Sequence, residues 1–129
     1  MKKKIAILGS TGSIGKTLLE IIKENKKNFE VVLLAADKNH KEILKQAKYF
    51  KVKNLIISNE KSFRELNKKK LSKINIFNNF NSFNNIFKKK IDYAMSSISG
   101  IDGLEPTLKI IKHTKKIAIA NKEAIICGW

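Results

Sequence analysis

The first chemically informative pattern in this chain is a set of three glycines at every third position, Gly9, Gly12 and Gly15. They directly follow an apolar run at residues 5–8, and Ser13 begins a segment with helical spacing of apolar residues. A glycine at the first position permits a tight turn, the second lets a pyrophosphate approach the backbone, and the third lets the helix pack close to the strand. The pattern therefore predicts that an anion, most simply the pyrophosphate of a dinucleotide, is held by free amides at a helix N-terminus.

A second group of polar residues, Asp37, Lys38 and Asn39, follows the next apolar run. A carboxylate at the end of a second strand accepts hydrogen bonds from a free ribose 2'-hydroxyl, whereas a nearby cation binds a 2'-phosphate. The chain has both, so the residues alone leave the choice between NAD and NADP open. A solvated turn is the plain structural alternative.

The third group is Asn121, Lys122 and Glu123, which follow the last apolar run. An amide can bond a nicotinamide or ribose edge, and a lysine can bind a substrate phosphate. The alternative is a helix start with an asparagine cap. No catalytic nucleophile and no metal-ligand spacing stands out, and the two histidines, His40 and His113, are predicted to be surface residues.

The elements that must position these groups alternate between strand and helix. Strands are predicted at residues 5–8, Phe29–Ala36, 55–57, 74–77, 91–98 and 117–120. Helices are predicted from Ser13 to about Asn25, over His40–Phe50, over residues 62–70, around Phe80, Phe83 and Phe87, and over residues 105–112. Such alternation predicts one α/β domain, a Rossmann-like, doubly wound and mainly parallel sheet with helices on both faces.

The amino-acid composition limits the classes of protein to which this chain can belong. With 43% hydrophobic and 29% charged residues over 129 positions, the chain is expected to fold as one globular domain, with no signal peptide and no membrane span. The net charge of +16 could attract nucleic acid, but the lysines are spread along the chain with abundant Asn and Ile, which indicates compositional drift more than a designed patch. The single cysteine, Cys127, suits a reducing compartment, so a cytoplasmic location is expected, or a plastid if a presequence was removed.

Three motifs, in order along the chain, resemble those of the 1-deoxy-D-xylulose 5-phosphate reductoisomerase family. They are Gly9-Ser10-Thr11-Gly12-Ser13-Ile14-Gly15, Gly103-Leu104-Glu105-Pro106-Thr107-Leu108 and Ala120-Asn121-Lys122-Glu123. The resemblance implies an NADPH-dependent oxidoreductase of non-mevalonate isoprenoid biosynthesis. In this family 1-deoxy-D-xylulose 5-phosphate is isomerised and then reduced to 2-C-methyl-D-erythritol 4-phosphate, with the help of a Mg or Mn ion.

The resemblance also implies roles for individual residues. The cofactor-binding residues would be Thr11, Gly12, Ser13, Ile14, Lys38, Asn39, Asn121 and Glu123. Lys38 and Asn39 would hold the adenosine end with its 2'-phosphate, and Lys122 would bind the phosphate of the sugar substrate. One residue departs from the pattern, because many members have glycine at the position of Asp37. A carboxylate there should weaken NADP binding unless it points away or pairs with Lys38.

The family's metal ligands belong to a catalytic domain downstream of the Asn-Lys-Glu motif. Residues 1–129 are therefore expected to be an NADPH-binding domain truncated before that domain, inactive alone, with neither catalytic residues nor metal ligands of its own. The family also implies a homodimer in the full-length protein. The alternatives are another NAD(P)-dependent dehydrogenase with the same fold and a basic nucleic-acid-binding module.

Overall fold

The computed structural model describes residues 2–98 and 101–120. In this part of the chain, six strands form one sheet in which all neighbours are parallel, in the order β4-β3-β2-β1-β5-β6. The strands are β1 (Lys3–Leu8), β2 (Phe29–Ala36), β3 (Asn54–Ile57), β4 (Asn75–Phe77), β5 (Ile91–Ser96) and β6 (Thr114–Ile119). The predicted α/β class with a doubly wound sheet is confirmed.

The strand order places a topological reversal at the centre of the sheet. From β1 the chain steps outward through β2 and β3 to β4, then crosses back to the other side of β1 and continues through β5 to β6. The crevice between the loops after β1 and β5 is where ligands bind in open sheets of this type.

Five α-helices connect these strands within the described residues. They are α1 (Ser13–Glu24), α2 (His40–Phe50), α3 (Glu60–Asn67), α4 (Phe83–Ile86) and α5 (Leu104–Ile111). Two of them begin at an asparagine cap, because the side-chain oxygens of Asn39 and Asn59 accept bonds from the backbone amides of Glu42 at 3.2 Å and Ser62 at 3.0 Å. Single 3-10 turns, Phe80–Ser82 and Ile101–Gly103, precede α4 and α5.

The core consists of two hydrophobic clusters, one on each face of the sheet. On one face, α1, α2 and α3 pack against alternate strand residues such as Ile5 and Ile7. On the other face, α4 and α5 pack against the intervening residues such as Ala6 and Leu8. Because both faces are covered, β1 is a continuous apolar run rather than an alternating one.

Several element bounds differ from the prediction. The third helix begins at Glu60 instead of residue 62, because Asn59 caps it earlier than the apolar spacing indicated, and it ends at Asn67 instead of residue 70. Strand β5 ends at Ser96, where its pairing with β1 ends, and not at residue 98. Strand β6 begins at Thr114, which pairs with Ile91, and not at residue 117.

The aromatic segment before β5 forms the short helix that was predicted. Phe83 and Phe87 are buried, and their ring centroids lie 5.8 Å apart. His113 packs against both rings, at centroid distances of 6.1 and 5.6 Å, so it is a half-buried packing residue and not the surface residue that was predicted. None of the described helices is long and apolar enough to cross a membrane.

Candidate functional site

A cleft of about 620 Å³ opens at the carboxyl edge of the sheet, across the point where strand order reverses. It extends from the end of β3, past the ends of β2 and β1, to the end of β5 and the start of α5. The polar and glycine residues that line it include Gly9, Thr11, Gly12, Asp37, Ser58 and Ser97.

The three glycines of the loop after β1 differ in how much space a side chain would have at each position. Gly9 has a φ of +85°, and a Cβ there would lie 2.9 Å from Ser97 Oγ. A Cβ at Gly15 would clash with the Gly9 carbonyl oxygen and lie 2.6 Å from Ser10 Cα. A Cβ at Gly12 would meet only the Gly9 carbonyl oxygen, at 3.6 Å. The fold therefore needs Gly9 and Gly15, whereas Gly12 leaves open space for a ligand to approach the backbone.

The N-terminus of α1 is free to bind an anion. Gly12 is its N-cap, no side chain caps it, and its first turn has no acidic residue. The first amides of a helix have no partner within the helix and carry a partial positive charge. Of the predicted cofactor residues in this loop, Thr11 and Gly12 line the cleft. The side chains of Ser13 and Ile14 lie outside it on an exposed surface.

Hydrogen bonds from neighbouring strands hold this loop. The backbone amides of Gly9 and Ser10 both donate to the carbonyl oxygen of Ala35 in β2, at 2.8 and 3.0 Å. Ser97 Oγ donates to the carbonyl oxygens of Leu8 and Gly9, at 3.0 and 3.2 Å. Sequence reasoning did not single out Ser97, although a polar residue directly after a buried strand was a usable signal.

The second predicted group lies at the end of β2, beside the glycine loop. The Asp37 carboxylate lines the cleft and accepts a bond from Ser58 Oγ at 2.8 Å, a partner that sequence reasoning did not identify. Lys38 is exposed, and no described ion pair joins it to Asp37. Asn39 caps α2 with its side-chain oxygen, which leaves its amide nitrogen available to a ligand.

The third predicted group, Asn121, Lys122 and Glu123, lies outside the described residues. The charged side chains that line the described part of the cleft are all acidic: Asp37, Asp102 and Glu105. No group of three His, Cys, Asp or Glu residues in the described ranges could hold a metal ion.

Two titratable groups outside the cleft have shifted pKa values with clear causes. Burial against the aromatic rings, and then the charge of Lys112, lower the pKa of His113. The pKa of Asp92 is lowered mainly because its carboxylate accepts a bond from the Lys4 backbone amide at 2.8 Å, with Lys115 adding to the effect. Both groups belong to the scaffold.

Comparison with known proteins identifies the family. The family model described as 1-deoxy-D-xylulose 5-phosphate reductoisomerase matches residues 5–128, nearly the whole chain. This chain belongs to the 1-deoxy-D-xylulose 5-phosphate reductoisomerase family. The resemblance inferred from the three sequence motifs is thereby confirmed.

Individual members of the reductoisomerase family match over almost the entire chain. The reductoisomerase of Pelagibacter ubique is 59% identical over 130 residues, covering 98% of this chain and 34% of the relative. That of Buchnera aphidicola is 42% identical over 131 residues, with 98% and 33% covered. The chain thus spans about a third of the length of these reductoisomerases.

Solved reductoisomerase structures share the fold. The enzyme from Zymomonas mobilis, in complex with NADPH, matches with a TM-score of 0.86 and 28% identity, covering 98% of this chain and 34% of that one. A second reductoisomerase, in complex with magnesium, matches with a TM-score of 0.85 and 27% identity, covering 98% of this chain and 32% of that one.

Proposed function

We propose that this chain is the NADPH-binding portion of a 1-deoxy-D-xylulose 5-phosphate reductoisomerase, with residues 1–129 forming one cofactor-binding domain. The observation that carries the proposal is the glycine loop, whose open position at Gly12 faces the cleft directly before the uncapped N-terminus of α1. The related fold that holds NADPH in the Zymomonas mobilis enzyme supports the choice of ligand.

In this proposal the cofactor lies across the carboxyl edge of the sheet. The backbone amides of Ser13 and Ile14 hold the pyrophosphate, with the Thr11 hydroxyl beside them. Gly12 contributes the open approach to the backbone, because its own amide donates to the Gly9 carbonyl oxygen at 3.2 Å. Exposure of the Ser13 and Ile14 side chains is compatible with this role, because a helix N-terminus binds anions through its backbone. The Lys38 ammonium and the Asn39 amide nitrogen hold the adenosine end, where the exposed cation meets the 2'-phosphate.

The reactive end of the cofactor extends from the glycine loop toward the end of β6. Asn121 and Glu123 complete the cofactor site there, and Lys122 binds the phosphate of 1-deoxy-D-xylulose 5-phosphate. Reduced nicotinamide supplies a hydride to the carbonyl group of the isomerised substrate. The chain's own part is to bind the cofactor and to hold its nicotinamide at the strand ends.

The remaining parts of the activity are assigned to the longer protein. The Mg or Mn ligands and the catalytic residues belong to a domain outside this chain, so we expect the chain alone not to turn over substrate. The full-length protein is proposed to be a homodimeric oxidoreductase of the cytoplasm that acts in non-mevalonate isoprenoid biosynthesis. The family match favours this assignment over another NAD(P)-dependent dehydrogenase or a nucleic-acid-binding module.

The test is a titration of NADPH into the chain, followed by nicotinamide fluorescence, for the wild type and Gly12→Val. We expect saturable binding that Gly12→Val weakens by about tenfold or more, because a branched side chain fills the pyrophosphate approach. The backbone at Gly12 is extended, at φ −78° and ψ 173°, so valine fits the conformation and the melting temperature should change little.

A control is needed because a net charge of +16 attracts any polyphosphate. The titrations are therefore repeated at raised salt, where attraction by net charge alone falls steeply, whereas the difference in NADPH affinity between the wild type and Gly12→Val should remain. Equal NADPH affinity in the wild type and Gly12→Val would overturn the proposal.

A further inference from the structure

Two polar residues at the ends of β2 and β3 form a fixed pair in the cleft. Ser58 donates from Oγ to Asp37 Oδ1 at 2.8 Å, and the amide of Asn59 donates to the Asp37 carbonyl oxygen at 3.0 Å. The strands before them pair in register up to Ala36 and Ile57. The Asp37 side chain is exposed, but the hydrogen bond from Ser58 holds it at the carboxyl edge of the sheet.

The Asp37 carboxylate lines the ligand cleft and has one oxygen without a described partner. Of the two oxygens, Oδ1 is engaged by Ser58, whereas no partner of Oδ2 is found among the described residues. No Lys or Arg lines the described part of the cleft, and Asp37 shares it with Gly12, where the ligand approaches the backbone. The Asp37 carboxylate would have little effect on a bound cofactor if it pointed away from the cleft or paired with Lys38. It lines the cleft, and no described ion pair joins it to Lys38.

A carboxylate at this place has opposite effects on the two nicotinamide cofactors. It accepts hydrogen bonds from the ribose hydroxyls of NADH, and it repels the 2'-phosphate of NADPH. Lys38 attracts the same phosphate from the neighbouring position, so the two residues oppose each other.

We propose that Asp37, positioned by Ser58, is a specificity-determining residue that lets this chain bind NADH as well as NADPH. This inference rests on the proposed function and adds a second cofactor to it. The dissociation constants for NADPH and NADH are expected to differ by less than about tenfold in the wild type, because the carboxylate offsets the attraction between Lys38 and the 2'-phosphate.

The experiment compares both affinities in four proteins, using the fluorescence that the two reduced nicotinamides share. Asp37→Asn keeps the size of the side chain and removes its charge. Asp102→Asn is the matched control, because it removes one carboxylate from the same cleft beside α5 instead of at the end of β2. Ser58→Ala leaves the charge but removes the bond that positions it.

Asp37→Asn should raise the preference for NADPH over NADH by on the order of tenfold, with tighter NADPH and weaker NADH binding. Asp102→Asn should shift both affinities alike and leave their ratio unchanged. Ser58→Ala should weaken NADH binding only. The compared quantity is the ratio of the NADPH and NADH dissociation constants. A variant that merely destabilises the fold would weaken the binding of both cofactors and would not change this ratio.

Two results would contradict the inference in different ways. If NADPH binds and NADH does not, or if Asp37→Asn and Asp102→Asn change the ratio equally, Asp37 has no specificity role while the proposed function stands. If neither nucleotide binds the wild type, the proposed function fails and this inference fails with it.

Discussion

The side-chain amide of Gln46 donates a hydrogen bond to the backbone carbonyl oxygen of Ser10, with a nitrogen–oxygen distance of 2.9 Å. Gln46 lies on α2 and is 6% exposed, and Ser10 is fully buried in the glycine loop. The bond therefore joins the helix after β2 to the loop after β1. A loop that binds phosphate through its backbone depends on such support, because the positions of its amides are its binding geometry.

Replacement of Gln46 by methionine should loosen this connection while filling a similar volume. The Ser10 carbonyl loses its donor, and we expect the free energy of unfolding to fall by about 1 kcal/mol, as measured by urea denaturation. NADPH affinity should fall as well. Lys45→Met on the same helix is the control, because residue 45 is exposed and no described hydrogen bond involves its side chain. A Gln46→Met protein as stable as Lys45→Met would contradict this expected loss of stability.

Two equivalent substitutions in the glycine loop distinguish a glycine that the packing requires from one that it does not. Gly15→Ala should lower the free energy of unfolding by about 1 to 3 kcal/mol, because its Cβ would meet backbone atoms that cannot move aside easily. Gly12→Ala adds the same methyl group where the nearest atom is 3.6 Å away, and it should unfold like the wild type. A Gly15→Ala protein as stable as Gly12→Ala would contradict the close packing between helix and strand.

Local features of the sequence were sufficient to predict most of the fold. The bounds of β2 and α2 were correct because an apolar run and a 3.6-residue period are both local, and because Asn39 marks the helix start. The start of β5 was correct, but its end and the bounds of β6 were wrong because a strand ends where its partner does. The pairing of Ile91 with Thr114 and the turn at Gly9 set those limits, and neither is a local property.

The candidate site could be predicted only where residues that are consecutive in sequence form the binding geometry. The glycine loop is such a segment, since its strand, turn and helix are consecutive. The bonds from Ser58 to Asp37 and from Gln46 to Ser10 join residues that are 21 and 36 positions apart. They depend on which strands are neighbours, and the order of the strands was not available from the pattern of elements.

A buried pair of hydroxyls connects β5 to α5 beside the cleft. Ser96 Oγ and Thr107 Oγ1 are 2.5 Å apart, and both residues are buried. Thr107→Val should lower the free energy of unfolding by about 1 to 3 kcal/mol, because it leaves the Ser96 hydroxyl without its partner. Adding Ser96→Ala should recover part of that loss. The measurement is a double-mutant cycle in urea, and strictly additive effects would mean that the hydroxyls do not interact.

The stability of the chain should depend on pH through His113. Burial against Phe83 and Phe87 and the charge of Lys112 lower the pKa of this histidine below its ordinary value of 6.5. The unfolded chain therefore takes up a proton at a higher pH than the folded chain. Stability should be full above the unfolded pKa and should fall as the pH is lowered from about 7 through 6.5 toward the folded pKa.

His113→Phe should remove this dependence, because the ring packing is kept and the titrating group is lost. Lys112→Gln should reduce the dependence and not abolish it, since it removes the charge but leaves the burial that is the larger cause. Urea denaturation of the three proteins between about pH 7.5 and pH 5.5 measures both effects, in a range where few other side chains titrate. If His113→Phe lost stability in parallel with the wild type over this range, another group would be responsible.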